Sequence, residues 1–160
     1  MSTFQVLAGF IGIFVLYFLL RYSPKISIEK DDFDKTSWIF IAPHGGCQFR
    51  ALLHGDKLLL IQLSMMTLTN DWFFFHSAHG EDQVQLEFTK IDSEAKVYGS
   101  NVKTSESFAV TIPLDYLEKM STKDWKIKAY GKRGEKIFTV PQIMSKTFLD
   151  YMKNNIIAKA

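Results

Sequence analysis

The sequence predicts a mainly β fold: an N-terminal transmembrane helix, then an antiparallel β-sandwich or open barrel with a short helix and a C-terminal packing helix. Three observations predict it. Phe4 to Leu20 is an uncharged apolar run that stops at Arg21. Beyond residue 35, short segments rich in β-branched and aromatic residues recur between turn residues. Pro113 and Pro141 each open a stretch with helical periodicity.

The apolar run and its flanks, Ser2 to Tyr22, rise about 1.5 Å per helical residue and so cover a hydrocarbon core of roughly 30 Å. A cleavable signal is not expected, because Met1-Ser2-Thr3 carries no Lys or Arg and Arg21-Tyr22-Ser23-Pro24-Lys25 offers no small-x-small cleavage site. Residues 1–22 therefore read as a single-pass membrane anchor in a lipid bilayer. Arg21, Lys25, Lys30 and Lys35 flank the run on one side only, which favours a cytoplasmic domain. Glu29, Asp31, Asp32 and Asp34 interleave with them and leave a periplasmic or other extracytoplasmic side open. Ala8 and Gly12 share one helical face and would let a neighbouring helix approach closely.

Residues 23–35 are polar and charged and read as a linker, with Pro24 ending the first helix. Residues 36–160 suffice for one β-rich domain with a single core. Strands are expected at Trp38–Ile41, Gln48–Leu53, Lys57–Leu63 and Trp72–Ser77, with turns at Pro43-His44-Gly45-Gly46, His54-Gly55-Asp56 and His79-Gly80. From Gln83 to Thr89, Val84, Leu86 and Phe88 alternate with polar residues and should face inward. Phe108, Val110 and Ile112 repeat the pattern, as do Trp125, Ile127 and Ala129. Gly131-Lys132-Arg133-Gly134 should turn the chain into a last strand, Lys136 to Val140. A helix from Pro113 to about Met120 interrupts the strands. The final helix places Met144, Phe148, Tyr151 and Met152 on one stripe that should cover an open end or an edge of the sheet.

Residue chemistry suggests few sites. His44, Cys47, His54, His76 and His79 are metal-ligand types in the first half of the domain, and Met65 and Met66 could add thioethers for cuprous copper. Neither His44-x-x-Cys47 nor His76-x-x-His79 belongs to a paired motif of recognised spacing. His44-Gly45-Gly46 has the composition of an oxyanion loop, but no G-x-S-x-G elbow accompanies it, and a hairpin turn explains the glycines. Cys47 is the only cysteine, which excludes an intrachain disulfide and leaves either a thiol nucleophile or a small buried hydrophobe.

The formal net charge is +2, yet seven basic residues and two acidic ones fall between Lys119 and Lys136. Lys126, Lys128, Lys132 and Arg133 form a basic surface that could meet anionic lipid headgroups or an acidic partner. Nucleic acid is not expected: alternation places Trp125 in the core, away from the lysines, and no nucleic-acid-binding signature is present. Trp72-Phe73-Phe74-Phe75 would show aromatic rings on both faces of a strand, for packing or for a partner. With no cofactor motif and no catalytic constellation, the expected function is a non-enzymatic, membrane-anchored interaction or assembly module, an accessory component of a larger membrane complex. The alternative is a membrane-anchored copper or zinc protein using the histidines and Cys47.

Overall fold

The alternation seen in the sequence is realised in a computed structural model that describes residues 24–159. The anchor expected over residues 1–22, with its Ala8 and Gly12 face, lies outside the described residues. Among the described residues, no helix is long and apolar enough to cross a membrane.

Nine antiparallel strands are described: β1 (Ile26–Asp31), β2 (Thr36–Ile41), β3 (Cys47–His54), β4 (Lys57–Thr69), β5 (Phe75–Gly80), β6 (Gln85–Tyr98), β7 (Asn101–Thr111), β8 (Trp125–Gly131) and β9 (Gly134–Val140). They lie in the order β1-β2-β3-β4-β7-β6-β5-β8-β9. Helix α1 (Leu114–Met120) joins β7 to β8, and α2 (Gln142–Asn155) follows β9 and ends in a 3-10 turn, Ile157–Lys159. The result is one sheet curled into a half-barrel, not two packed layers. The long β6–β7 hairpin connects the two halves, β7 pairing with β4 and β6 with β5, so hydrogen bonding runs unbroken across the sheet.

Helix α2 does what a second sheet would do in a sandwich. Met144, Phe148 and Met152 are fully buried against the inner face, and the Phe148 ring stacks on Phe49 of β3 at 5.3 Å. The Trp125 indole N–H donates to Ser145 Oγ at 3.0 Å, which satisfies the polar end of a fully buried ring and ties β8 to α2. Phe49, Leu63, Phe108, Val110, Ile127 and Val140 line the same core from their strands. Tyr151, expected on the apolar stripe, is only half-buried at its margin.

Three expectations change. The stretch read as a linker contains β1, which pairs with β2 along its whole length. Ile26 and Ile28 sit opposite Ile41 and Ile39 and give that edge strand its inner side, while its charged residues stay in solvent. The expected Trp72–Ser77 strand begins only at Phe75, and His79 and Gly80 belong to β5. The turn after β5 occupies residues 81–84 instead, closed by Gln83 N–H to Gly80 O at 3.0 Å and Gly80 N–H to Val84 O at 2.9 Å. Val84 is therefore in the turn and 44% exposed, whereas Leu86 is buried and Phe88 half-buried as the alternation requires. By contrast, Pro113 and Pro141 flank α1 and α2 as read, and Gly131 pairs with Gly134 across a two-residue turn.

Antiparallel alternation also gives the half-barrel two rims. The chain enters β1 at one rim, where the 42–46, 70–74, 99–100 and 132–133 connections also lie. The far rim holds the 32–35, 55–56 and 81–84 turns, α1, and the passage from β9 into α2.

Candidate functional site

Among the surfaces that combine aromatic rings with cations, two stand out for the rings they leave outside the core. The first is on the outer face of β2, β3 and β4. Trp38 and Phe40 point outward because their neighbours Ile39 and Ile41 take the core, and their rings stack at 6.1 Å. The Arg50 guanidinium lies 4.8 Å above the Trp38 ring and donates from Nε and Nη2 to Gln62 Oε1 at 3.0 and 2.7 Å. Partial burial lowers the Arg50 pKa from the usual arginine value. Gln62 presents only one acceptor oxygen to a fork of five donors, so Arg50 keeps N–H groups for a further acceptor. Beside it lies a depression of about 300 Å³ lined by Gln48, Arg50, Ser64, Met66 and Ser107.

The second surface is at the entry rim. Phe74 has φ 54°, a left-handed backbone that costs a bulky residue about 1–2 kcal/mol. The run lies outside regular strand up to Phe75, yet it still shows rings on two sides. Phe73 and Phe75 stack together at 4.9 Å on the core side, and Trp72 and Phe74 stack at 5.9 Å on the other. The buried Glu106 carboxylate fixes this arrangement, accepting from Phe73 N–H at 2.7 Å and from Phe75 N–H at 3.3 Å. Thr69 and Thr104 hydroxyls both donate to the Asp71 carbonyl, at 2.8 and 2.9 Å, and hold the start of the loop. Arg133, from the β8–β9 turn, places its guanidinium 5.5 Å from the exposed Phe74 ring. Its Cζ thus sits within cation–π range.

The expected metal ligands are dispersed. His44 and Cys47 face each other across a two-residue turn, exchanging backbone hydrogen bonds of 2.9 Å each, with Gly45 and Gly46 at φ 59° and 79°. This is the hairpin read from the glycines. Cys47 is nevertheless fully buried and His44 exposed. His54 and His76 are exposed on separate strands, and His79 packs its ring on Tyr130 at 5.1 Å. Met65 is in the core while Met66 is 56% exposed, as neighbours in a strand must be. Among the described residues, no three His, Cys, Asp or Glu side chains gather as a metal site would require. Burial pushes the Cys47 thiol up to about 12, so the sulfur stays protonated and sealed from substrate at neutral pH.

The basic surface splits in two. β5–β8 pairing sets His79 opposite Lys128, and these residues with Lys126, Tyr130 and Ile137 line a depression of about 290 Å³. Two acidic groups meet it there, Glu135 from the next strand and Glu81 from far along the chain. Lys128 pairs with Glu135 at 2.6 Å, a bond that raises the lysine pKa, and the Lys126 backbone N–H donates to Glu81 at 3.2 Å. Lys132 and Arg133 sit apart, exposed at the entry rim. Sequence reasoning missed Glu106, Arg50 and the Trp38–Phe40 pair. Glu106 alone carried a signal, as a lone carboxylate between Phe108 and a run of small polar residues in a strand expected to be apolar on one face.

No protein-family model, curated protein or solved structure matches this chain.

Proposed function

We propose that the chain is a single-pass membrane protein whose β-domain is a non-enzymatic interaction module, an accessory component of a larger membrane complex. One observation carries the interaction reading: the outer-face cluster of Trp38, Phe40 and Arg50 beside the Met66-lined depression. Trp, Arg, Phe and Met are the residue types enriched where protein interfaces bury their centres, and an arginine with spare donors suits a carboxylate or carbonyl of a partner. The inner face cannot serve this role, because α2 and the core fill it. A thiol enzyme is disfavoured by the sealed Cys47, and a copper or zinc site by the dispersal of the histidines.

The anchor reading rests on the sequence of residues 4–20, and the cytoplasmic side on the basic flank. The test uses the full chain in its native membrane. It should resist carbonate extraction and, in mild detergent, migrate within an assembly larger than itself. Trp38→Ala with Arg50→Ala should release it from that assembly without releasing it from the membrane. A chain washed off by carbonate overturns the anchor; a chain that runs alone in mild detergent overturns the interaction reading.

A further inference from the structure

We propose that the entry rim is itself a lipid-docking surface: Trp72, Phe74, Val97 and Val102 enter the interface of an anionic bilayer, and Lys132 and Arg133 bind its headgroups. The inference rests on the anchor reading above and adds a second, peripheral contact with the same membrane.

The geometry begins with chain reach. Leu20 ends the apolar run and Pro24 begins the described chain at this rim, so the intervening residues span at most about 14 Å. If residues 4–20 occupy the hydrocarbon core, the β1 end of this rim lies within about 14 Å of it, close to the headgroup region. The rim's composition suits that position. The β6–β7 hairpin outruns its neighbours, since β4 ends at Thr69 opposite Thr104 and β5 pairs with β6 only at Ala78 and His79. Its last rungs, Lys96↔Lys103 to Tyr98↔Asn101, form a free ribbon that extends about 10 Å beyond the sheet. On that ribbon Val97 and Val102 are direct cross-strand partners, 72% and 53% exposed, and Lys96 pairs with Lys103 in the next rung.

An exposed aliphatic pair at the tip of a ribbon has no role in the core, which ends well before it. Phe74 adds an aromatic ring, 43% exposed on a left-handed backbone of φ 54°. Trp72 stacked on it is a ring type that settles at membrane interfaces. The cations fit the headgroups. Lys25, Lys103, Lys132 and Arg133 lie at this rim with Lys96, which pairs with Glu94 at 2.7 Å. The acidic residues there are Asp71, Glu94, Glu106, which is buried under the aromatic run, and Glu135, which pairs with Lys128. Net positive charge together with exposed apolar tips is the combination that holds a surface at an anionic bilayer.

The experiment reconstitutes the full chain in nanodiscs of phosphatidylcholine with phosphatidylglycerol. An environment-sensitive NBD dye is placed on Val97→Cys and, separately, on Val102→Cys, with Asp56→Cys at the far rim as the aqueous control. Buried Cys47 does not compete for the maleimide. Docking predicts blue-shifted emission at positions 97 and 102, quenched by brominated lipid, with position 56 reporting water. Lys132→Glu with Arg133→Glu, both in an exposed turn, should cut the docked-to-undocked ratio about thirtyfold or more. Water-like emission at 97 and 102 in chains that co-purify with the nanodisc overturns docking and leaves the anchor intact. A blue shift that brominated lipid does not quench also overturns it, because the tip is then covered by a second copy of the chain. Chains that fail to enter the nanodisc overturn the anchor reading first.

Discussion

The two rims of the half-barrel solve the same problem in opposite ways. Each must end nine strands in water. The far rim is cross-linked: Lys119 pairs with Asp82 at 2.8 Å, Lys123 pairs with Glu81, and the Tyr116 hydroxyl donates to Asp82 at 2.9 Å, so α1 is fastened over the β5–β6 turn. The packing there is tight enough that a Cβ on Gly80 would meet Tyr116 Oη at 1.9 Å. The entry rim is fixed just as firmly beneath, by Glu106 and by Gly131, which lets the Phe73 carbonyl approach. Above that platform it leaves Phe74, Val97 and Val102 exposed and its cations outnumbering its carboxylates. The far rim also exposes apolar groups, Phe33 at 94% and Val84 at 44%, so what sets the entry rim apart is the pairing of such groups with an excess of cations on a fixed platform beside the point of chain entry.

The contrast can be broken at each rim, and the largest effect is expected at the platform. In Gly131→Ala the new methyl would sit 2.2 Å from the Phe73 carbonyl oxygen. Backbone must yield on both sides, and urea denaturation should register a loss of about 3 kcal/mol. Glu106→Ala removes the acceptor for the Phe73 and Phe75 amides and should cost about 2 kcal/mol, with faster hydrogen exchange confined to those amides and their neighbours. Glu106→Gln, which keeps an acceptor oxygen, should recover part of both. At the far rim, Gly80→Ala displaces the end of a side chain and not backbone, so about 1–2 kcal/mol is expected. That change should leave the lipid signal at position 97 untouched.

Phe74→Gly separates stability from docking. Glycine accepts the left-handed φ without strain, which offsets the lost ring contacts, so the net change should stay under about 1 kcal/mol while lipid quenching weakens. The smallest effect concerns acid. Hydrogen bonds from Lys123 and Lys119 hold the Glu81 and Asp82 carboxyls below the ordinary carboxylate range. A depressed folded-state pKa stabilises the protein above the unfolded value, and that stability disappears as pH falls through the folded one. Melting temperature should therefore drop across the acid end of that range in the wild type and less steeply in Glu81→Gln with Asp82→Asn. At neutral pH each exposed pair is worth under about 1 kcal/mol.

Much of the core was legible because burial follows local alternation. Phe108, Val110 and Ile112, and Trp125, Ile127 and Ala129, are all buried as their spacing requires. Errors arose where backbone departs from regular strand. Gln83 at φ 64° and Phe74 at φ 54° are non-glycine residues in a conformation that residue type does not announce, and around them Val84 falls in a turn and the strand start shifts from Trp72 to Phe75. The acidic neighbours of the basic stretch were not legible for another reason: counting Lys119 to Lys136 omits Glu81 and Asp82, which pair with Lys123 and Lys119. The scattering of His44, His54, His76 and His79 was equally invisible, since proximity in sequence places nothing in space across a sheet.

The sequence by itself determined the β class, both proline-led helices, the Gly45-Gly46 and Lys132-Arg133 turns and most of the inward-facing residues. Each of these depends on neighbours within a few positions, through φ preference or a period of two. Only the tertiary structure decided that one curled sheet wraps α2, that Glu106 clamps the aromatic run, and that Arg50 rises over Trp38. It also decided that Phe74, Val97 and Val102 share the rim at which the chain enters. Those outcomes depend on strand order and register, which arise from many weak contacts between residues distant in the chain and leave no local pattern to read.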